Sequence, residues 1–217
     1  MKLLNSLGPN PRIVRMFLLE KGLSIPFEEV DILGAENRRA PHIERNPGGQ
    51  LPSLVLDDGS CIAETVAICE YLEDLHPVPA LIGATPLEKA EHRMWQRRIE
   101  LNITENLYNA FRYSVGLEIF RERMHCLPEA APGLATIVQE KLAWLDGLMG
   151  RRSWICGERF TLADIILYCA LDFGEGVGQS IDSGLLNVNA WFARMMTRTS
   201  THDSLHPEGA ASGRRGV

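Results

Sequence analysis

Hydrophobic positions change their period once along the chain, and the change divides it in two. In the first eighty residues short apolar runs alternate with helical stretches. Lys2–Asn5 is an apolar run of strand length, and Gly8-Pro9-Asn10-Pro11 is a dense turn signal. Ile13, Val14, Phe17 and Leu18 then recur at helical spacing, ending at Lys21-Gly22, a basic last turn followed by glycine. Pro11 falls in the first turn of that helix, where a missing N–H costs nothing. Residues 27–32 read as a second strand. Strand, helix and strand together predict parallel pairing with a right-handed crossover. After a polar loop over 34–46 come strands at 53–56 and 60–62, joined by the hairpin signal Asp57-Asp58-Gly59. Over 65–75, Val66, Ile68, Cys69, Tyr71 and Leu72 share a helical face.

Beyond Pro77, Pro79, Gly83 and Pro86 only the helical period remains. It predicts helices over 87–115, 117–124, 133–149, 162–173 and 188–196. The fold class is therefore an α/β domain over 1–78 (βαβ, then ββα) followed by an all-α domain over 86–200. The Ser-, Gly-, Ala- and Arg-rich stretch 201–217 is expected to be a flexible tail.

Composition narrows the function. The formal net charge is −6, and like charges cluster no further than pairs such as Arg38-Arg39 and Arg97-Arg98, which argues against a nucleic-acid partner. No apolar stretch approaches the roughly 18 residues of a membrane helix, so no membrane partner is expected. The opening Met-Lys-Leu-Leu-Asn-Ser turns polar at once, unlike a signal peptide, which points to the cytoplasm. Five cysteines, an odd number with no C-x-x-C pair, offer neither a metal site nor a dithiol. They read as small hydrophobes in a reducing compartment.

Three local patterns carry candidate chemistry. Pro52 stands at the mouth of a strand, where proline is tolerated because it has no ladder hydrogen to give, and an X-Pro bond there can be cis. Glu64-Thr65 opens a helix, whose free N–H groups and positive dipole end attract a carboxylate. Threonine is also a good N-cap, and both roles can hold at once. Thr161-Leu162-Ala163-Asp164 has capping-box spacing, with Phe160 placed to staple it, and should start a buried helix.

In order and spacing, "PNPRIVRMFLLEKGL", "NPGGQLPSLVLDDG", "IAETVAICEYLED" and "GERFTLADIILY" resemble the cytosolic glutathione S-transferases of the bacterial, theta- or nu-like kind. The resemblance covers nearly the whole chain. It implies a thioredoxin-like first domain, glutathione as co-substrate without a metal, a small hydrophobic electrophile as second substrate, and a homodimer. It further implies that Leu51-Pro52 is cis and that the Leu51 backbone pairs with the cysteinyl part of glutathione, as an added strand would. Gln50 would hydrogen-bond the peptide backbone, Thr65 the γ-glutamyl carboxylate, and Glu64 the α-ammonium. The family more often has serine where Thr65 stands. Arg38, Arg39 and His42 lie in the loop whose cation often meets the glycyl carboxylate.

The catalytic task is to stabilise a thiolate whose free pKa is about 8.5. The family uses Tyr, Ser or Cys after the first strand, but residues 1–26 hold no Tyr or Cys, and the serine-type position is Gly8. By resemblance to bacterial members with a similar Pro-Asn sequence, Asn10 ranks first as catalytic residue and Ser6 second. Asn10 could equally be a turn residue or N-cap, and Ser6 an ordinary strand-end hydroxyl. Trp95, Arg97, Arg98 and Glu100 lie on the long helix that would join the dimer interface. Asn102, Asn106, Tyr108, Phe111, Arg112 and Tyr113 are its candidate second-substrate residues. Two rival functions remain open: a glutathione-dependent disulfide or peroxide reductase, and a non-catalytic binding protein. Gly8 favours the last, while Gln50-Leu51-Pro52 and Glu64-Thr65 oppose it.

Overall fold

Leu3 and Leu4 explain the first layer. Adjacent strand residues point to opposite faces, and both leucines are fully buried, so their sheet is covered on both sides. In the computed structural model, which describes residues 1–217, β1 (Lys2–Asn5) is an inner strand of a four-stranded sheet of order β2-β1-β3-β4. It runs parallel to β2 (Phe27–Glu29), with Leu3 opposite Phe27, and antiparallel to β3 (Ser53–Val55), with Leu3 opposite Leu54. β3 pairs antiparallel with β4 (Cys61–Ala63). β2 stops at Glu29 rather than running to 32. Beyond it the chain turns, with the Gly34 N–H donating to Asp31 Oδ1 at 2.8 Å.

α1 (Pro9–Lys21) buries Ile13, Val14, Met16, Phe17 and Leu18 and ends on Gly22 at φ 65°, the left-handed stop that glycine allows. α3 (Thr65–Leu75) packs beside it. The buried Lys21 ammonium lies 2.6 Å from Glu73 Oε2 and joins the two helices. The loop over 34–46 holds a 3₁₀ turn (Glu36–Arg38) and the one-turn helix α2 (His42–Arg45), both too short to leave a periodic signal.

The chain divides into two compact units: Met1–Leu81 with Thr199–Arg215 and Val217, and Ile82–Arg198 with Gly216. The stretch expected to be a loose tail thus groups with the first unit. It forms α10 (Thr199–Asp203) and α11 (Pro207–Ala211), with Thr201, Ser204 and His206 buried. The physical reason lies far back in the chain. Arg12 and Arg15 on α1 are buried cations that need acceptors. Arg12 donates to the Thr201 carbonyl at 2.7 Å, and Arg15 to the Ser204 carbonyl at 2.8 Å.

The second unit is helical: α4 (Pro86–Ile99), α5 (Glu105–Arg112), α6 (Leu117–Phe120), α7 (Ala131–Met149), α8 (Leu162–Gly176) and α9 (Leu186–Met196). The helix expected over 87–115 passes from α4 into α5 through a π-turn, Glu100–Thr104. α8 is buried from Leu162 to Gly174, as a helix apolar all round should be. Asp164 fixes its start. Oδ1 accepts the Ile155 N–H and the Trp191 indole N–H, and Oδ2 accepts the Thr161 N–H, each at 2.9 Å. Trp95 corrects an expectation. It is core rather than interface, its ring tilted against that of Trp144 and flanked by the Arg98 and Arg152 guanidinium groups at 5.0 and 5.2 Å. No helix is long and apolar enough to cross a membrane.

Candidate functional site

Strand register gathers the candidate residues at one end of the sheet. Leu4 lies opposite Ser53, and Ser53 opposite Ala63. The loop leaving β1 (Ser6 to Asn10), the approach to β3 (Gln50 to Pro52) and the exit from β4 (Glu64, Thr65) therefore share that end.

The approach to β3 is fastened at one carbonyl. Gln50 O meets His42 Nε2 at 3.1 Å, Asn46 Nδ2 at 2.9 Å and Ser53 Oγ at 3.5 Å. The Leu51-Pro52 bond is cis. Leu51 buries its side chain against Leu4 and Val30, yet sheet pairing ends at Ser53 on both sides. The Leu51 N–H and C=O thus lie outside both ladders. The Gln50 side chain is exposed.

The start of α3 is open. Its first intrahelical bond runs from the Ile68 N–H to the Glu64 carbonyl at 3.0 Å. The N–H groups of Thr65, Val66 and Ala67 have no acceptor in the helix, and no side chain caps them. Glu64 holds φ 70° and ψ 122°, a sparsely populated conformation for a residue with a side chain. Such strain costs about 1–3 kcal/mol and persists where the surrounding structure enforces it. Its carboxylate is exposed and makes no bond within the chain.

The start of α1 is open in another way. Pro9 and Pro11 have no N–H, and the Arg12 N–H reaches the Gly8 carbonyl at 3.3 Å. Between Pro9 and Pro11, Asn10 keeps an unspent backbone N–H. Its side-chain amide is half-buried and unbonded. Gly8 sits at φ 124° and ψ 163°, a region essentially confined to glycine. Ser6, by contrast, is buried and donates its hydroxyl proton to the Val30 carbonyl at 2.8 Å. Of the two catalytic candidates, only Asn10 has side-chain donors uncommitted.

The loop cations are unequally free. Arg39 donates to the carbonyls of Ala35 and Gly34, and His42 is buried against Gln50. Arg38 is exposed and holds only a 3.4 Å contact to the Gly48 carbonyl. Cys61 lies on β4, and burial pushes its thiol above the ordinary value. Sequence reasoning missed Asn5, Arg15 and Glu29, which surround the end of β1. The available signal was a pair of arginines three apart within an apolar helix.

Residues 8–75 match the family described as glutathione S-transferase, N-terminal domain, and residues 119–199 match glutathione S-transferase, C-terminal domain. The chain is 30% identical over 200 residues to glutathione S-transferase 2 of Saccharomyces cerevisiae, covering 89% of this chain and 84% of that one. It is 33% identical over 172 residues to maleylacetoacetate isomerase of Pseudomonas aeruginosa, covering 78% and 79%. A glutathione S-transferase domain-containing protein of Marinobacter aquaeolei superposes with a TM-score of 0.87 at 34% identity, covering 92% of this chain and 99% of that one.

Proposed function

This chain belongs to the glutathione S-transferase family and is a glutathione transferase, and on that premise we propose how its residues divide the work. The γ-glutamyl carboxylate docks on the open start of α3, taken by the N–H and hydroxyl of Thr65. Glu64 receives the α-ammonium. The Leu51 backbone pairs with the cysteinyl part, and Gln50 bonds the peptide backbone beside it. The observation that carries this reading is Glu64. Its backbone is strained and its carboxylate is unpartnered, beside three uncapped amides. A fold holds such an arrangement against its own stability where a ligand completes it.

Asn10 is the catalytic residue of this reading. Its side-chain amide and backbone N–H donate to sulfur at the positive end of α1. They stabilise the thiolate, and the thiol proton passes to solvent. The thiolate then forms a carbon–sulfur bond to a small apolar electrophile, whose leaving group departs with the bonding electron pair. Ser6, with its proton given to Val30, serves the framework. The aromatic group of Tyr108, Phe111, Phe120 and Phe173 in the helical unit is the chemical match for an apolar second substrate.

The enzyme is a cytoplasmic two-fold homodimer in this reading. All five cysteines are free, as a reducing compartment requires. Leu87 and Met94, seven residues apart on α4, are exposed, as are Trp144 and Leu148 on α7, apolar surface that a second copy would cover. Light scattering at micromolar concentration should give twice the chain mass, and a monomer rejects the dimer. The functional test is retention on immobilised glutathione, followed by turnover of an aryl halide and of hydroxyethyl disulfide. Conjugation of the halide is expected. Retention with neither activity would make this a binding protein, and turnover of the disulfide alone would make it a reductase.

A further inference from the structure

We propose that the last segment of the chain, 199–217, is a positioning element of the thiolate site, acting through a ring of hydrogen bonds around the end of β1. The proposal rests on the reading above, in which the loop leaving β1 delivers Asn10 to sulfur.

The ring closes through four side chains and one backbone carbonyl. Asn5 Nδ2 donates to Glu29 Oε1 at 2.6 Å. Glu29 Oε2 lies 2.9 Å from His206 Nε2. Two residues before His206, the Ser204 carbonyl accepts from Arg15 Nε at 2.8 Å. Arg15 Nη1 returns to Asn5 Oδ1 at 2.8 Å and also holds the Ser6 carbonyl at 3.0 Å. Asn5, Ser6, Arg15 and His206 are all buried. The imidazole is set in one tautomer. Its Nδ1 accepts the Glu208 N–H at 3.3 Å, which leaves Nε2 as the ring nitrogen that donates to Glu29.

The ring grips the residues that lead into the catalytic loop. Ser6 is held at its carbonyl by Arg15 and at its hydroxyl by Val30. At Leu7 the α11 backbone comes close: a Cβ added at Gly209 would stand 3.5 Å from the Leu7 side chain. Gly8 and Asn10 follow directly. Gly8 has no side chain to anchor it, and two prolines remove amides from the turn. The framework preceding the loop must therefore supply its precision. A hydrogen bond that matters mainly as charge gathers on sulfur is sensitive to such placement. Displacements of about an ångström cost up to about a hundredfold in rate.

The ring holds a network together rather than touching substrate, so its members are positioning residues. The test compares His206→Ala, Glu29→Ala, the double variant and the conservative His206→Gln with Ser212→Ala, a tail substitution outside the ring. Two quantities are read in folded protein: the thiol pKa of bound glutathione, from thiolate absorbance against pH, and glutathione affinity by calorimetry. In the wild type the bound thiol should ionise below its free value of about 8.5. His206→Ala should raise that pKa by about 0.5 and lower kcat about threefold to tenfold, with affinity within about twofold. The double variant should do no further harm, because both changes open one ring. His206→Gln, which restores a donor toward Glu29, should recover most of the loss and supplies the comparison if the alanine variant does not fold. An unchanged thiol pKa in folded His206→Ala, or the same loss in Ser212→Ala, overturns the ring's role while leaving the site reading intact. A wild type that binds glutathione without lowering its thiol pKa overturns the Asn10 reading, and the ring's role with it.

Discussion

Two helices of the helical unit, α4 and α8, and two of the thioredoxin-like unit, α1 and α3, begin in opposite ways. In the helical unit, Thr85 Oγ1 accepts the Glu88 N–H at 3.2 Å, and Glu88 Oε2 takes the N–H groups of Ala84 and Thr85 at 2.8 and 3.1 Å. Asp164 closes α8 more tightly still, in full burial. In the thioredoxin-like unit, α1 and α3 begin with no side-chain cap. A cap is worth about 1 kcal/mol, so the open ends represent stability left ungained. The closed ends carry only structural demands. The open ends stand at the one end of the sheet where Leu51 also keeps its backbone out of the ladders. In the reading proposed above, the contrast separates helix ends that serve the fold from helix ends left open for an anion.

The strongest way to break this comparison is at the closed end. Asp164→Ala strands two backbone amides and an indole N–H in the core. At about 1–3 kcal/mol for each unsatisfied donor, the loss should reach about 3 kcal/mol or more. Calorimetry should show a melting temperature lowered by several degrees. A loss under about 1 kcal/mol would mean that the box is ornamental and the contrast empty.

Acid sharpens the same point, because the helical unit buries two groups that respond in opposite directions. Burial raises the Asp164 carboxyl from 3.8 to about 6 against its hydrogen bonds. Burial, with Arg93 and Arg159 nearby, lowers His92 from 6.5 to about 4. The native state holds the Asp164 proton more tightly than the unfolded chain, so acidification through 6 toward 3.8 adds stability. It holds the His92 proton less tightly, so stability is full above 6.5 and drains as pH falls toward 4. Between pH 7 and 5 these contributions are about +1 and about −2 kcal/mol. His92→Phe removes the loss and leaves the gain. Unfolding free energies from urea titration should therefore shift by about 2 kcal/mol in the variant's favour, relative to the wild type, between pH 7 and pH 5. Parallel curves would show that His92 is not held neutral by burial.

At the open ends the expected changes move from stability to ligand. Thr65→Ala should cost the fold no more than about 1 kcal/mol while weakening glutathione by about tenfold, or about 1.4 kcal/mol. Glu64→Gly should be a trade. Relief of the positive φ stabilises the chain by up to about 1 kcal/mol, yet glutathione binds more weakly. Titration calorimetry on both variants decides, and unchanged affinity in folded Thr65→Ala would remove that helix end from the site. The smallest effect on the fold is expected from Asn10→Ala, with kcat down about tenfold and KM for glutathione nearly unchanged. Ser6→Ala is its partner experiment. It should cost about 1 kcal/mol through the lost bond to Val30 and leave turnover intact. The reverse pattern would make Ser6 the catalytic group.

Much of this was legible in the sequence because it is local. The bounds of β1 and α3, the hairpin between β3 and β4, and the capping box at Thr161 each rest on a few adjacent residues. What escaped is what distance decides. The π-turn at Glu100–Thr104 leaves the apolar pattern nearly unchanged while shifting the hydrogen-bond register, so periodicity passed over it. The segment 199–217 reads as a polar tail by composition. Its order comes from two arginines about 190 residues earlier, whose need for acceptors no local window contains. At the site, residue types pointed to Glu64 and Thr65, but the strain at Glu64 and the spent proton of Ser6 are properties of the backbone path. Trp95 shows the converse error: an aromatic flanked by arginines read as interface, whereas the guanidinium groups stack on its ring inside the unit.

Gly8 also sets which changes are open to this lineage. In sequence, a serine at the position used by serine-type relatives is one substitution away. In conformation it is much further, because φ 124° with ψ 163° is territory that a side chain enters only at a cost of about 1–3 kcal/mol. A Cβ there would meet nothing closer than the Pro11 ring at 3.8 Å, so the obstacle is torsional rather than spatial. A newly acquired hydroxyl would have to wait for the turn around it to be rebuilt, and intermediates along that route would hold neither arrangement well. Gly8→Ser would carry that torsional cost unless the turn around it were rebuilt at the same time.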